Sequence, residues 1–151
     1  MANAIKWEGA WVDRSNVLTT EMNGLTDGTY VLQSVASAIA NQTNLDQYGM
    51  FELNLASLDP DAGGYVEVYG VRSMDGGSTY EDTPGTNNPA THLLLAVIPL
   101  DATSSVKKAF SKPFWFDPNA TKFCVRNMAG VDFGATGNTL KLWTNNDEVQ
   151  D

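Results

Sequence analysis

Apolar and polar side chains alternate in short runs along most of this chain. From Met50 to Leu58 the run puts Phe51, Leu53 and Leu55 on one side and Glu52 and Asn54 on the other, the period of two expected of a half-buried strand. Tyr65 to Val71 is dense in β-branched and aromatic residues, which suit a pleated surface. Between them, Asp59-Pro60-Asp61-Ala62-Gly63-Gly64 is turn chemistry. The two runs are therefore expected to be sequential antiparallel strands of one larger sheet. Tyr65 and Tyr69 alternate with Val66 and Val68, so one of these sets faces the core.

Shorter runs repeat the theme. Thr29 to Ser34 is a strand candidate, and the small residues from Val35 to Ile39 either extend it or begin an irregular stretch. Thr91 to Leu100 is apolar with little alternation, which suggests burial on both faces. Val106 to Phe116 is broken by Pro113, a mark of an edge strand or bulge. Lys122 to Asn127 points Phe123 and Val125 inward, and Thr139 to Thr144 points Leu140 and Leu142 inward against Lys141 and Trp143. Helical chemistry is confined to one short helix near residues 20–26. Thr19 or Thr20 caps it with Glu21 in its first turn, Met22 and Leu25 share its buried face, and Asp27-Gly28 ends it. Asn41 to Asp46 is a polar loop, Asp75-Gly76 is a tight hairpin signal, and Glu81 to Ala90 is a long exposed loop of the kind that carries function or mobility. These elements make an all-β fold, an antiparallel β-sandwich, jelly-roll-like, of roughly eight or nine strands. An immunoglobulin-like sandwich is the alternative, without the Cys-Trp-Cys spacing of antibody domains. The expected organisation is an N-terminal arm (1–16), a single β-sandwich domain (17–145) and an acidic tail (146–151) that frays.

Composition narrows the function. The chain has 151 residues, 42% of them apolar, enough for one domain with a sizeable core. Its formal net charge is -9, from 18 acids against nine bases, which speaks against nucleic acid because phosphate neutralisation needs clustered Lys and Arg. The longest apolar run, Leu93 to Leu100, contains Pro99 and is too short to span a bilayer, so no membrane partner is expected. With no signal-peptide pattern at the N-terminus, synthesis in a cytoplasm is expected. The single cysteine, Cys124, alternates with Phe123 and Val125 and reads as a buried thiol. His92 is the only histidine, placed where a polar loop enters an apolar strand, and reads as structural. One histidine makes no histidine metal cluster and one cysteine no structural zinc site, and with no ordered catalytic motif beside them an enzyme is not expected and no cofactor is implied. Asp59 and Asp61 resemble the start of a calcium loop, without the glutamate that completes an EF-hand. They are possible cation ligands, though turn chemistry accounts for them equally. Tyr65, Tyr69, Tyr80 and Trp143 are candidate platforms for a sugar ring.

Trp7 and Trp11 lie four residues apart near the N-terminus. Either they cap the core or they dock on a partner. Several phrases, Leu18-Thr-Thr-Glu-Met-Asn-Gly-Leu, Phe51-Glu-Leu, Gly63-Gly-Tyr-Val-Glu-Val-Tyr, Asp75-Gly, Arg126-Asn-Met-Ala-Gly-Val and Gly137-Asn-Thr-Leu, together resemble small virion structural proteins of tailed bacteriophages. The segment around Trp7 and Trp11 departs from that pattern. The resemblance implies a non-catalytic virion protein, foremost a capsid decoration or accessory protein on the outside of the shell. It implies the major capsid protein as partner and self-association, with a homotrimer matching local three-fold axes. Trp7 and Trp11 would then be the docking anchors. A tail or baseplate component with a receptor- or carbohydrate-binding role is the other class it implies.

Overall fold

The computed structural model describes residues 4–7, 10–34, 38–81 and 93–150. His92, most of the expected 81–90 loop and part of the 35–39 stretch lie outside them. Among the described residues twelve strands form in chain order: β1 (Ala4–Trp7), β2 (Val12–Leu18), β3 (Tyr30–Leu32), β4 (Ile39–Ala40), β5 (Tyr48–Leu58), β6 (Tyr65–Ser73), β7 (Leu94–Pro99), β8 (Ser105–Phe110), β9 (Phe114–Trp115), β10 (Ala120–Met128), β11 (Thr139–Asn145) and β12 (Asp147–Gln150). Every pairing is antiparallel. One sheet has the order β2-β11-β5-β8, with β9 continuing along the β8 side of β5. The other has the order β3-β10-β6-β7, with β4 on the β3 side of β10. The fold is an all-β sandwich of two antiparallel sheets.

The inner faces follow from the alternation. Phe51, Leu53 and Leu55 of β5 and Leu140 and Leu142 of β11 meet Val66, Val68, Phe123 and Val125 from the opposite sheet, all essentially inaccessible to water. Aromatic rings fix the centre. Phe51 stacks on Phe114 with centroids 4.8 Å apart and meets Phe123 edge-on at 5.1 Å, geometries that complement the ring quadrupoles. The Thr20–Met22 segment is a 3-10 turn, and it buries Met22 as expected. Its lead-in differs from a capped helix: the Thr19 side chain does not cap it, and instead the Thr19 N–H donates to Glu21 at 3.0 Å. A second short helix, α1 (Asn41–Asn44), occupies the expected polar loop. It is organised by buried Asn41, whose amide donates to the carbonyls of Asp46 and Asp117 and accepts from the Asp46 N–H.

Three expectations change. β5 and β6 are not hydrogen-bonded to each other: β5 lies between β11 and β8, and β6 between β10 and β7. The 59–64 segment is an arch between sheets, held by the Asp61 N–H on the Ala129 carbonyl at 2.8 Å. A Cβ on Gly64 would come within 2.8 Å of that same Ala129 carbonyl, so the arch needs glycine there. Turn residues reverse a chain in either geometry and do not say which sheet receives it. Next, β7 is an edge strand, with Ala96 and Ile98 buried and Leu94 and Val97 exposed. Its alternation was hidden because the outward positions are also apolar. Finally, the strand β2 begins inside the expected arm, and the expected fraying tail is paired, β12 with β1. Pro113 does separate two edge pieces, β8 and β9.

Candidate functional site

The four residues singled out from sequence fall at opposite ends of the sandwich. β11 runs antiparallel to β5 with Asn145 opposite Tyr48 and Thr139 opposite Asn54. The termini therefore emerge beside the start of β5, and the Asp59–Gly64 arch lies beyond its end. Asp59 and Asp61 are both exposed. Among the described residues, no group of three or more His, Cys, Asp or Glu is placed to hold a metal ion.

At the other end β1 and β12 form a two-stranded ribbon, with Trp7 opposite Asp147. The Trp7 side chain lies outside the described part of the structure, and Trp11 is half-buried just before β2. The root of the ribbon is tied to the sandwich. The Tyr48 hydroxyl donates to Asp147 at 3.1 Å, the Asp147 N–H to the Gln47 side chain at 3.0 Å, and the Gln47 N–H to the Asn146 side chain at 2.8 Å. These hydrogen bonds fix Asn146 and Asp147, at the root of β12, to the segment that opens β5. Each strand of the ribbon keeps one unpaired edge among the described strands.

The expected sugar platforms are engaged elsewhere. Tyr69 is buried on the outer face of its sheet, its hydroxyl donating to Glu67 at 2.7 Å. The Lys122 ammonium sits 3.8 Å over the Tyr80 ring. Tyr65 is half-buried. Trp143 donates its indole N–H to Glu52 at 2.9 Å.

Glu52 is the centre of a polar belt across the outer face of the first sheet. It is only 6% exposed, and it also pairs with Lys108 at 3.0 Å and accepts from Asn54 at 3.1 Å. Burial pushes its carboxyl up, and the hydrogen bonds from Lys108, Asn54 and Trp143 outweigh that, leaving it below its ordinary value of 4.5. A carboxyl that binds protons less readily when folded stabilises the fold above its unfolded pKa, and that stabilisation is lost as pH falls through the folded value. Glu52→Gln is expected to cost about 2 kcal/mol at pH 7, the scale of hydrogen bonds to a charged group. Urea midpoints taken between pH 7 and pH 3 should show the gap between wild type and E52Q closing toward low pH. A gap independent of pH would disprove this role.

Other basic groups are similarly consumed. Arg14 pairs with buried Asp46 at 2.8 Å, Arg126 with Glu67 at 3.4 Å, Lys107 with Asp101 at 2.9 Å and Lys141 with Asp13 at 2.9 Å. Cys124 is buried in a small cluster with Tyr69, Val71 and Leu93, and burial pushes its thiol up to about 12, so it is not a nucleophile at neutral pH.

One feature escaped the sequence reading. Leu94, Val97, Val106, Phe110 and Trp115 are large apolar side chains left exposed on β7, β8 and β9, along one side of the sandwich. The chain matches no protein-family profile, no curated protein and no solved structure. Two features of the described surface stand out, the terminal ribbon with its unpaired strand edges and this exposed apolar rim. No helix among the described residues is long and apolar enough to cross a membrane.

Proposed function

We propose that this protein is a non-catalytic structural component of a tailed-phage virion, a capsid decoration protein seated on the outside of the shell. The reading combines the sequence resemblance with one structural observation, the ribbon made by β1 and β12. A two-stranded ribbon is at best marginally stable alone, and an open strand edge is a template for one more strand. A strand of the major capsid protein added to the ribbon would complete it. Trp7 and Trp11, on and beside β1, would then act as anchors. The strand pairings also nest: β2 with β11, β3 and β4 with β10, β5 with β8 and β9, and β6 with β7. That winding, a long hairpin rolled into two sheets, supports the jelly-roll expectation. Leu94, Val97, Val106 and Phe110 of the exposed apolar rim support self-association, with a homotrimer on local three-fold axes as the form that suits a shell. Arg14, Arg72, Lys107, Lys108, Arg126 and Lys141 are each paired with an acid, which with a net charge of -9 is unsuited to nucleic acid.

Gold-labelled antibody against the sandwich, applied to virions of the phage encoding this chain, is expected to decorate the whole shell. Label restricted to the tail would favour the tail or baseplate reading instead. Removal of residues 1–10 spares β2 and should leave the urea midpoint within about 0.5 M of wild type, since the sandwich keeps its core. The same truncation should abolish binding to particles that lack the protein. Full occupancy by the truncated chain would rule out docking through the ribbon.

A further inference from the structure

We propose that a cleft at the ribbon end of the sandwich, beside Trp115, binds a neutral saccharide. The site stands on its own geometry and does not depend on where in a virion, or outside one, the protein resides. Trp115 is 65% exposed. Its ring is nevertheless held: it meets Tyr48 edge-on, with centroids 5.8 Å apart and an interplanar angle of 85°. Tyr48 is itself fixed by its hydroxyl on Asp147. A rigid, half-solvated aromatic plate is what the apolar C–H face of a pyranose ring stacks upon.

Beside this plate lies a cleft of about 130 Å³, lined by Arg72 and Asp117 together with apolar side chains that include Leu95. It is smaller than the roughly 300–1,000 Å³ of sites that engulf a ligand. It therefore takes one ring or one edge of a ring and leaves the rest of a chain over Trp115. The polar groups are pre-organised. Arg72 donates from Nε and one terminal nitrogen to Glu81 at 3.4 and 3.1 Å, and from the other terminal nitrogen to Asp117 at 3.3 Å. A guanidinium has five N–H donors, so two remain for a ligand. The Asp117 carboxylate, fixed by Arg72 and by the Asn119 N–H at 2.9 Å, retains acceptor capacity.

The charge arrangement selects the ligand class. An anion approaching Arg72 would meet two carboxylates already seated on it, and a cation approaching those carboxylates would meet the guanidinium. A sugar hydroxyl both donates and accepts, so it satisfies Arg72 and Asp117 together with no net charge. The site differs from the tyrosines and Trp143 suggested by sequence, because Tyr69, Tyr80 and Trp143 are engaged within the fold and Tyr65 is half-buried, while Trp115 faces water.

The test is a ¹H–¹⁵N NMR titration of the full chain with cellotriose, chitotriose and maltotriose, each to about 10 mM, with uridine and sodium acetate as comparison ligands, backed by a glycan array. At least one glycan should shift the Trp115 indole and the Arg72 side-chain resonances saturably. Trp115→Ala should weaken that response at least tenfold, Trp115→Phe should stay within about threefold, and Arg72→Lys, which keeps the charge and loses the fork, should weaken it severalfold. Three results would each overturn the proposal: no glycan response, a response equalled by uridine or acetate, or a response that survives in W115A.

Discussion

Phe51→Ala is expected to lower the stability of the sandwich by about 4 kcal/mol, the largest single effect available in the core. Phe51 is fully buried in the first half of β5. It is also the ring through which the two sheets touch, stacked on Phe114 from its own sheet and edge-on to Phe123 from the other. Truncation removes the transfer free energy of the ring and leaves a cavity walled in large part by the central strands β5 and β10. Such strands are hydrogen-bonded on both sides and cannot collapse inward. With net stabilities of about 5–15 kcal/mol typical of single domains, that loss consumes much of the total. At urea m-values of about 1–3 kcal/mol per molar, the unfolding midpoint should fall by roughly 2 M. Trp115→Ala, at an exposed edge, should stay within about 0.5 kcal/mol and serves as the comparison. Equal midpoints for F51A and W115A would mean that the core is not organised around this ring.

Asn127→Ala is expected to cost about 3 kcal/mol, with no change in the packed apolar residues. Asn127 is fully buried on β10. Its amide donates to the Leu25 carbonyl at 2.9 Å and the Val131 carbonyl at 2.8 Å, and its carbonyl accepts from the Ala129 N–H at 2.9 Å. One side chain thus holds the segment after the 3-10 turn and the loop after β10 against each other, over the end of the core that contains Met22, Leu25 and Phe133. Alanine leaves the Val131 carbonyl and the Ala129 N–H without a partner, each costing about 1–3 kcal/mol when buried and less where water enters, while the Leu25 carbonyl loses one of two donors and keeps the Phe133 N–H at 3.0 Å. Asn127→Asp sharpens the test. A carboxylate keeps the acceptor for Ala129 but faces two carbonyl oxygens with no donor, so its deficit should be larger at pH 7 than at pH 4, where a protonated carboxyl can donate. Urea unfolding of both variants at the two pH values measures this. An N127D deficit that is the same at both would show that the two carbonyls do not depend on a donor there.

The candidate site was legible only in part. Trp7 and Trp11 drew notice because two large aromatics near a terminus need a partner, and the ribbon puts Trp7 on a paired strand. Nothing in residues 147–150 announced that they would be the other strand, because the pairing joins segments far apart along the chain. Trp115 stands in a run of aromatics, Phe110, Phe114, Trp115 and Phe116, that all look alike in sequence. Phe116 is buried and Phe114 packs on Phe51, while Phe110 and Trp115 are exposed. Pro113 breaks the period between them, so alternation cannot be carried across it. The partners of Arg72, Glu81 and Asp117, come from a turn and from the approach to another strand, a meeting that no spacing encodes.

Local alternation was enough to determine that this chain is built of strands and which face of β5, β10 and β11 turns inward, because side-chain direction in a strand depends only on a residue's own backbone. Turn residues placed reversals at Asp59–Gly64 and near Asp75, where the Asp75 carboxylate gathers the Ser78 and Thr79 N–H groups, but the expected tight hairpin does not join β6 to its partner β7, which begins only at Leu94. The tertiary structure decided which strands are neighbours, that β5 and β6 part into different sheets, and that polar residues such as Gln33 and Asn127 are buried. Gln33 shows the reason. Its side chain accepts the Phe123 N–H at 2.9 Å, completing a strand ninety positions away, and a residue read in isolation carries no record of a partner so distant along the chain.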